Sequence, residues 1–208
     1  MDLRIQSVKV GSERTNCYIV SARNGETVVI DPGAEPNKIF KLLQNIKNLR
    51  LRYILLTHGH FDHVGAVDLL KVQFSEVPIM ISENDVRLYR CVPEQGIFVS
   101  ELLLQPKSEL TAIADEEYLP FSETEIEVIA TPGHTPGGVC YRIDKTLFTG
   151  DTLFYHTVGR TDLPFSDIKK MEASLNKIAH LRSIDSIYPG HGRETTLREE
   201  LENNHYLK

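Results

Sequence analysis

Thr57-His58-Gly59-His60-Phe61-Asp62-His63 sets three imidazoles and a carboxylate within six residues. His58 and His60 stand two apart, so on an extended segment both side chains point to one side. Asp62 and His63 follow as the chain turns into the next helix, where they can face the same point. Neutral imidazole and carboxylate are the ligands that zinc, iron and manganese accept. Gly59 is expected to let the backbone pass close to an ion. A lone histidine is more often structural than a ligand. A cluster this dense reverses that balance, because polar groups packed so tightly are costly to bury unpaired.

Working outward, three more turns carry the same chemistry. His134 sits in Thr131-Pro-Gly-His-Thr-Pro136, Asp151 in Thr149-Gly-Asp-Thr152 and His191 in Tyr188-Pro-Gly-His-Gly192. Each follows an apolar run that reads as a strand. In open α/β folds, ligands bind beyond the carboxyl ends of strands, so all seven groups are expected on one rim. Seven ligands exceed what one tetrahedral ion uses. Two divalent ions sharing one carboxylate fit the number: His58, His60, His134 and Asp151 for the first, Asp62, His63, His191 and Asp151 for the second. A bridging hydroxide would complete both shells. Zinc is the leading choice of metal, with iron or manganese as alternatives.

Between these turns, short apolar runs alternate with amphipathic stretches. Strands are expected at 28–30, 53–56, 78–81, 126–130, 146–148 and 184–188. Helices are expected over 36–47, 64–74, 83–91 with Ser82 as cap, 167–181, and from about Thr196. The stretch 92–122 shows no clear period. It reads as a surface meander with short strands, or as an excursion facing the substrate.

Composition narrows the class. The chain has 208 residues, is 41% hydrophobic and carries a formal charge of -6. That supports a real core and one domain over residues 1–208, and argues against a nucleic-acid surface. Cys17, Cys91 and Cys140 are widely spaced, which suits free thiols rather than a disulfide framework. No apolar run approaches the length of a membrane span, and the first residues lack a signal-peptide pattern. A cytoplasmic enzyme is expected, monomeric or homodimeric, acting on a small-molecule substrate without nucleic acid or membrane as partner.

The ordered set Asp31, His-x-His-x-Asp-His, His134, Asp151 and His191 resembles the metallo-β-lactamase superfamily over nearly the whole chain. The resemblance implies an αββα sandwich: two mixed sheets flanked by helices, within the α/β (α+β) class. The segments Gly150-Asp151-Thr152-Leu153-Phe154 and Gly159-Arg160-Thr161-Asp162 look like short members of the glyoxalase II branch, and like the related persulfide dioxygenases. A Glu in place of His60 would have pointed to a flavodiiron-type site. The extra C-terminal helical domain of full-length glyoxalase II, which helps bind glutathione, is not expected here. What the likeness implies is a binuclear metallo-hydrolase of a thioester, such as an S-acyl-glutathione or similar small thioester. Alternatives are an iron-dependent persulfide dioxygenase using His58, His134 and Asp151, a lactonase, and a non-catalytic metal-binding protein.

Asp62, Asp31 and Arg160 are the candidate catalytic residues. The family pattern implies that Asp31 orients a ligand histidine by accepting its other N–H; on its own, Asp31-Pro-Gly also reads as a turn. Arg160 suits a substrate carboxylate, or a pair with Asp162. His156 is placed to face substrate, whereas Tyr155, His180 and His205 read as ordinary packing or surface residues.

Overall fold

The computed structural model describes residues 3–100 and 102–207, the side chain of Phe98 excepted. Met1, Asp2, Glu101 and Lys208, and with them both ends of the domain expected over 1–208, lie outside the described residues. The chain begins with a meander of β1 (Leu3–Val10), β2 (Thr15–Ala22) and β3 (Glu26–Ile30). Then come α1 (Pro36–Leu43), β4 (Arg50–Leu55), α2 (Phe61–Val64), α3 (Val67–Gln73) and β5 (Ile79–Ser82). After the 3-10 turn Glu83–Asp85 follow α4 (Val86–Tyr89), α5 (Val92–Val99) and β6 (Thr111–Ile113). The second half holds β7 (Tyr118–Phe121), β8 (Thr124–Ala130), β9 (Val139–Ile143), β10 (Thr146–Gly150), β11 (Leu153–Phe154) and β12 (Thr157–Val158). It closes with α6 (Ile168–Ala179), β13 (Ser186–Pro189) and α7 (Leu197–Asn203).

β1 to β6 form one sheet in sequence order, antiparallel up to β3 and parallel from there. The other sheet runs β13-β10-β9-β8-β7, with β13 parallel to β10 and the rest antiparallel. Side-chain alternation turns the two sheets into layers. From β2, Cys17 and Ile19 join Ile39, Leu43, Val67 and Leu70 in a helix–sheet core. The intervening Tyr18 and Val20 meet Val128, Tyr141 and Phe148 of the second sheet. That sheet's far face, through Ile129, Cys140 and Leu147, covers Met171, Leu175 and Ile178 of α6. The result is a helix–sheet–sheet–helix sandwich with three apolar seams. Among the described residues, no helix is long and apolar enough to cross a membrane.

Several expected elements change form. The helix expected over 64–74 is broken: the chain leaves α2 at Gly65, and Ala66 takes φ -100 and ψ 1 before α3 begins. The Ala66 N–H donates to Pro32 O at 2.9 Å instead of continuing the helix ladder. Docking on the Asp31–Gly33 turn thus outweighs helix continuity. Over 83–91 there is a 3-10 turn and then α4, and Ser82 makes no side-chain cap. α1 ends at Leu43 rather than 47, with Asn48 in the left-handed region at φ 55. The stretch 92–122 holds α5 as well as β6 and β7.

Candidate metal centre

The strand directions place the seven groups together. Asp31 leaves β3 and Thr57–His63 leaves β4, and these strands are parallel. β8 and β10 are both antiparallel to β9, and β13 is parallel to β10. His134, Asp151 and His191 therefore emerge from carboxyl ends that point the same way. Bonds between the sheets align the two rims. Tyr141 Oη donates to Leu56 O at 2.8 Å, the Val139 N–H to Thr57 O at 2.9 Å, and Tyr18 Oη to Pro189 O at 2.6 Å.

Two groups, one of His58, His60 and His134 and one of Asp62, His63 and His191, each have donor atoms within 4.8 Å of one another, and a third, of His58, His63 and Asp151, spans them. Asp151 lies between them. Its Oδ2 is 3.5 Å from both His134 Nε2 and His191 Nε2, and its Oδ1 is 3.4 Å from His63 Nε2. The structure brings together the seven residues that the sequence suggests, and it also sets His58 and His63 beside Asp151 across the expected grouping.

Hydrogen bonds on the outer side of the His58, His134 and His191 rings fix which nitrogen faces inward. His134 Nδ1 sits 2.8 Å from Arg160 O and His191 Nδ1 3.2 Å from Glu13 O, so both nitrogens must donate. Thr57 Oγ1 donates to Asp31 Oδ2 at 2.7 Å and so accepts from His58 Nδ1 at 3.0 Å. His63 Nδ1 lies 2.9 Å from the same Asp31 oxygen, without the alignment of a full hydrogen bond. Asp31 also accepts the Thr57 N–H at 2.8 Å, and its backbone holds φ 51. For His58, His134 and His191 these bonds turn Nε2 inward.

The centre is therefore acceptor facing acceptor. Asp151 Oδ2 faces His134 Nε2 at 3.5 Å, and Asp62 Oδ2 faces His191 Nε2 at 3.3 Å. His58 Nε2 and Asp151 Oδ1 are buried with no hydrogen-bond partner. Buried acceptors without donors are costly, and a cation among them removes that cost. Nitrogen and carboxylate donors in this arrangement fit divalent metal ions. Burial and the neighbouring imidazoles hold His58 well below the ordinary histidine range and His60 at about 3, so both stay neutral, as ligands must be. Burial opposes charge on His63 as well, but Asp62, Asp31 and Asp151 outweigh it and raise its pKa. Burial likewise works against the Asp62 anion, yet His63 and His191 hold its carboxyl well below the usual range.

Gly59 has a different reason from the one its sequence suggests. A Cβ there would come within 2.8 Å of the Tyr89 N and 2.9 Å of the Asp85 O, so it admits α4 rather than an ion. The glycine at the centre itself is Gly190, where a Cβ would overlap Asp151 Oδ1 and crowd His63 Cε1 at 2.9 Å.

Three supporting residues are not apparent in the sequence. The buried Asp85 carboxylate accepts from Gly59 N at 2.9 Å, Thr135 Oγ1 at 2.7 Å and Gly137 N at 2.6 Å. It ties the loop of His58 and His60 to the loop of His134. Gln95 accepts from Phe61 N at 2.8 Å and donates to Gly59 O at 3.2 Å. Thr15 Oγ1 donates to Asp62 Oδ2 at 2.7 Å. Each lies far from the motifs in sequence, and nothing in local spacing marks it.

Arg160 stands at the wall of the adjoining cavity. Its side chain is 68% exposed and its guanidinium bonds Asp162 twice, at 2.9 and 3.0 Å. His156 turns away from the cavity, with Nε2 2.7 Å from Glu199 Oε1. Tyr155 lies under the Arg193 guanidinium, and His180 Nδ1 donates to Asn176 O at 2.8 Å. Cys17 and Cys140 are buried free thiols and Cys91 is half-buried beside the cavity.

A family model described as the metallo-beta-lactamase superfamily matches residues 10–191. The hydroxyacylglutathione hydrolase GloC of Haemophilus influenzae is 31% identical, over 99% of this chain and 98% of its own length. Among solved structures, the crystal structure of BLEG-1 B3 metallo-beta-lactamase is similar with a TM-score of 0.90 at 31% identity, covering 99% of this chain and 100% of that one. The crystal structure of TTHA1623 in a di-iron-bound form is similar with a TM-score of 0.88 at 35% identity, covering 97% and 100%.

Proposed function

Because this chain belongs to the metallo-beta-lactamase superfamily, we propose that it is a binuclear metallo-hydrolase that cleaves a small thioester, an S-acyl-glutathione or a similar compound. The observation that carries this reading is the second ligand set. Asp62, His63 and His191 converge as completely as His58, His60 and His134. A one-iron oxygenase has no need of that second set, whereas hydrolysis at a two-metal site uses both. The name of the Haemophilus relative, a hydroxyacylglutathione hydrolase, supports the thioester class.

Divalent ions held here would supply Lewis acidity and lower the pKa of a bound water. The chain's own residues do the rest. His58, His60 and His134 hold one position, and Asp62, His63 and His191 hold the other, with Asp151 facing both. Arg160 O and Glu13 O lock the rings of His134 and His191 in one tautomer. Asp31 steadies His63 and, through Thr57, His58. Thr15 keeps Asp62 turned inward. A thiolate leaves readily, so the cavity need not furnish a strong proton donor.

The test is the all-zinc protein assayed without oxygen, because zinc has no redox chemistry. It should hydrolyse S-D-lactoylglutathione or a neutral small thioester, and His63→Ala or His191→Ala should reduce that rate sharply. A zinc form inert toward every thioester, beside an iron form that consumes oxygen with glutathione persulfide, would assign the chain to the dioxygenases instead.

A further inference from the structure

A cavity of about 400 Å³ opens beside the metal centre, with His60, Asp62, His134, Asp151 and His191 among its lining. That is a size at which small-molecule sites occur. Beyond these polar residues its walls are largely apolar. Phe61, Leu88 and Val99 come from α2, α4 and α5, and Phe154, Leu163 and Phe165 from the segment that follows Asp151. The charged groups on the walls are unequal. Glu13 and Glu94 are exposed carboxylates, while Arg160 is the one cation among the described lining residues and is committed to Asp162. Arg87 is close, stacked 5.3 Å over the Phe165 ring, but it does not line the cavity.

We propose that this cavity takes the apolar acyl group of a neutral thioester, so that the preferred substrate is a medium-chain acyl thioester rather than a glutathione conjugate. The proposal rests on the thioester reading above and narrows its substrate class. Glutathione brings two carboxylates and one ammonium, and each carboxylate must find a donor or stay in water. Here Glu13 and Glu94 suit the ammonium, while the two carboxylates find a single guanidinium on the walls, shared with Asp162. An acyl chain gains about fourfold in binding for each methylene it buries against the aromatic and aliphatic walls. The size of the cavity allows several methylenes to be buried before the chain reaches solvent.

Two measurements on the zinc-loaded protein separate this proposal from the reading beneath it. The first is calorimetric binding of ketone analogues, in which CH₂ replaces the thioester sulfur, with acetyl to octanoyl chains on N-acetylcysteamine or on glutathione. The second is hydrolysis of the matching thioesters. The octanoyl N-acetylcysteamine analogue should bind at least about 10-fold tighter than the acetyl one, and tighter than the octanoyl glutathione analogue. Phe165→Ser should flatten the chain-length preference, and Glu94→Lys should narrow the gap to the glutathione series. Equal binding of short and long analogues, or tighter binding of the glutathione series, overturns the cavity assignment even if thioesters are cleaved. If the preference appears in binding while no thioester of either series is hydrolysed, the cavity assignment stands and the thioester reading falls.

Discussion

Asp31 and Asp85 are buried carboxylates that hold loops, and each is expected to act on the metal centre without touching an ion. Asp31 binds the Thr57 N–H and hydroxyl and faces His63. Removing such an outer partner of a ligand histidine costs about 10–100-fold in metal affinity or activity. Asp31→Ala should therefore lower zinc affinity by that order while circular dichroism stays native; unchanged affinity would reduce Asp31 to a turn residue. Asp85 is held above the usual carboxylate range by burial, which its hydrogen bonds only partly offset. Asp85→Ala leaves the Gly59 N–H, the Gly137 N–H and the Thr135 hydroxyl without their acceptor. Each unsatisfied donor costs about 1–3 kcal/mol when it stays dry, so urea unfolding should show a loss of at least about 2 kcal/mol. Zinc affinity should fall with it, because the His58–His60 and His134 loops lose their shared anchor. A variant as stable as the parent, with unaltered zinc binding, would show that the loops hold without Asp85.

Elements were legible in the sequence where one face decides them, and illegible where two surfaces compete for a segment. α6 reads plainly, because Met171, Leu175 and Ile178 form its buried stripe, with Ile168 left exposed, and Asp167 caps it through Lys169 N and Lys170 N. The ligand turns read plainly too, since each is a strand followed by Gly and then His or Asp. β1 escapes notice because its alternation slips phase at Gln6-Ser7, and β2 because it is buried on both faces. The division of 64–74 into α2 and α3 depends on the distant Pro32 carbonyl, which no local period reports. Asp85 and Gln95 are hidden for the same reason. The second residue of α3 shows how such distant ties are tested. Asp68 accepts from the N–H groups of Lys107 and Ser108 and from Ser108 Oγ at 2.6 Å, fastening the strand-free run before β6. Burial raises its pKa, but these hydrogen bonds prevail and hold it below the ordinary 3.8. A depressed carboxylate stabilises the fold above its unfolded value and loses that contribution as pH falls through the folded value. Asp68→Asn should thus cost about 1 kcal/mol at neutral pH, and the difference from the parent should shrink below about pH 3.9. Urea unfolding at both ends of that range checks it; a difference that does not change with pH would mean that the charge plays no part.

The centre joins the two halves of the molecule. His58, His60, Asp62 and His63 come from the sheet of β1 to β6, while His134, Asp151 and His191 come from the sheet of β7 to β10 and β13. Without a cation, the seam between the sheets ends in acceptors that face one another, among them the orphaned His58 Nε2 and Asp151 Oδ1. A ligand that binds only the folded chain stabilises it by about 2.7 kcal/mol at 100 times its Kd. For a chain of roughly this size each kcal/mol raises Tm by about 2–4 °C. One ion at that saturation should therefore raise Tm by about 5–10 °C, and a second should raise it further. Chelator should reverse both steps. Zinc titration followed by elemental analysis should give two ions per chain, and His191→Ala should retain one, because it dismantles only the set of Asp62, His63 and His191. That variant should also keep the first part of the thermal shift and lose the second. If the parent saturates at one ion whatever the metal, or if metal leaves Tm unmoved, then the convergence of seven ligands is not a binuclear site, and the two sheets are held by their apolar seams alone.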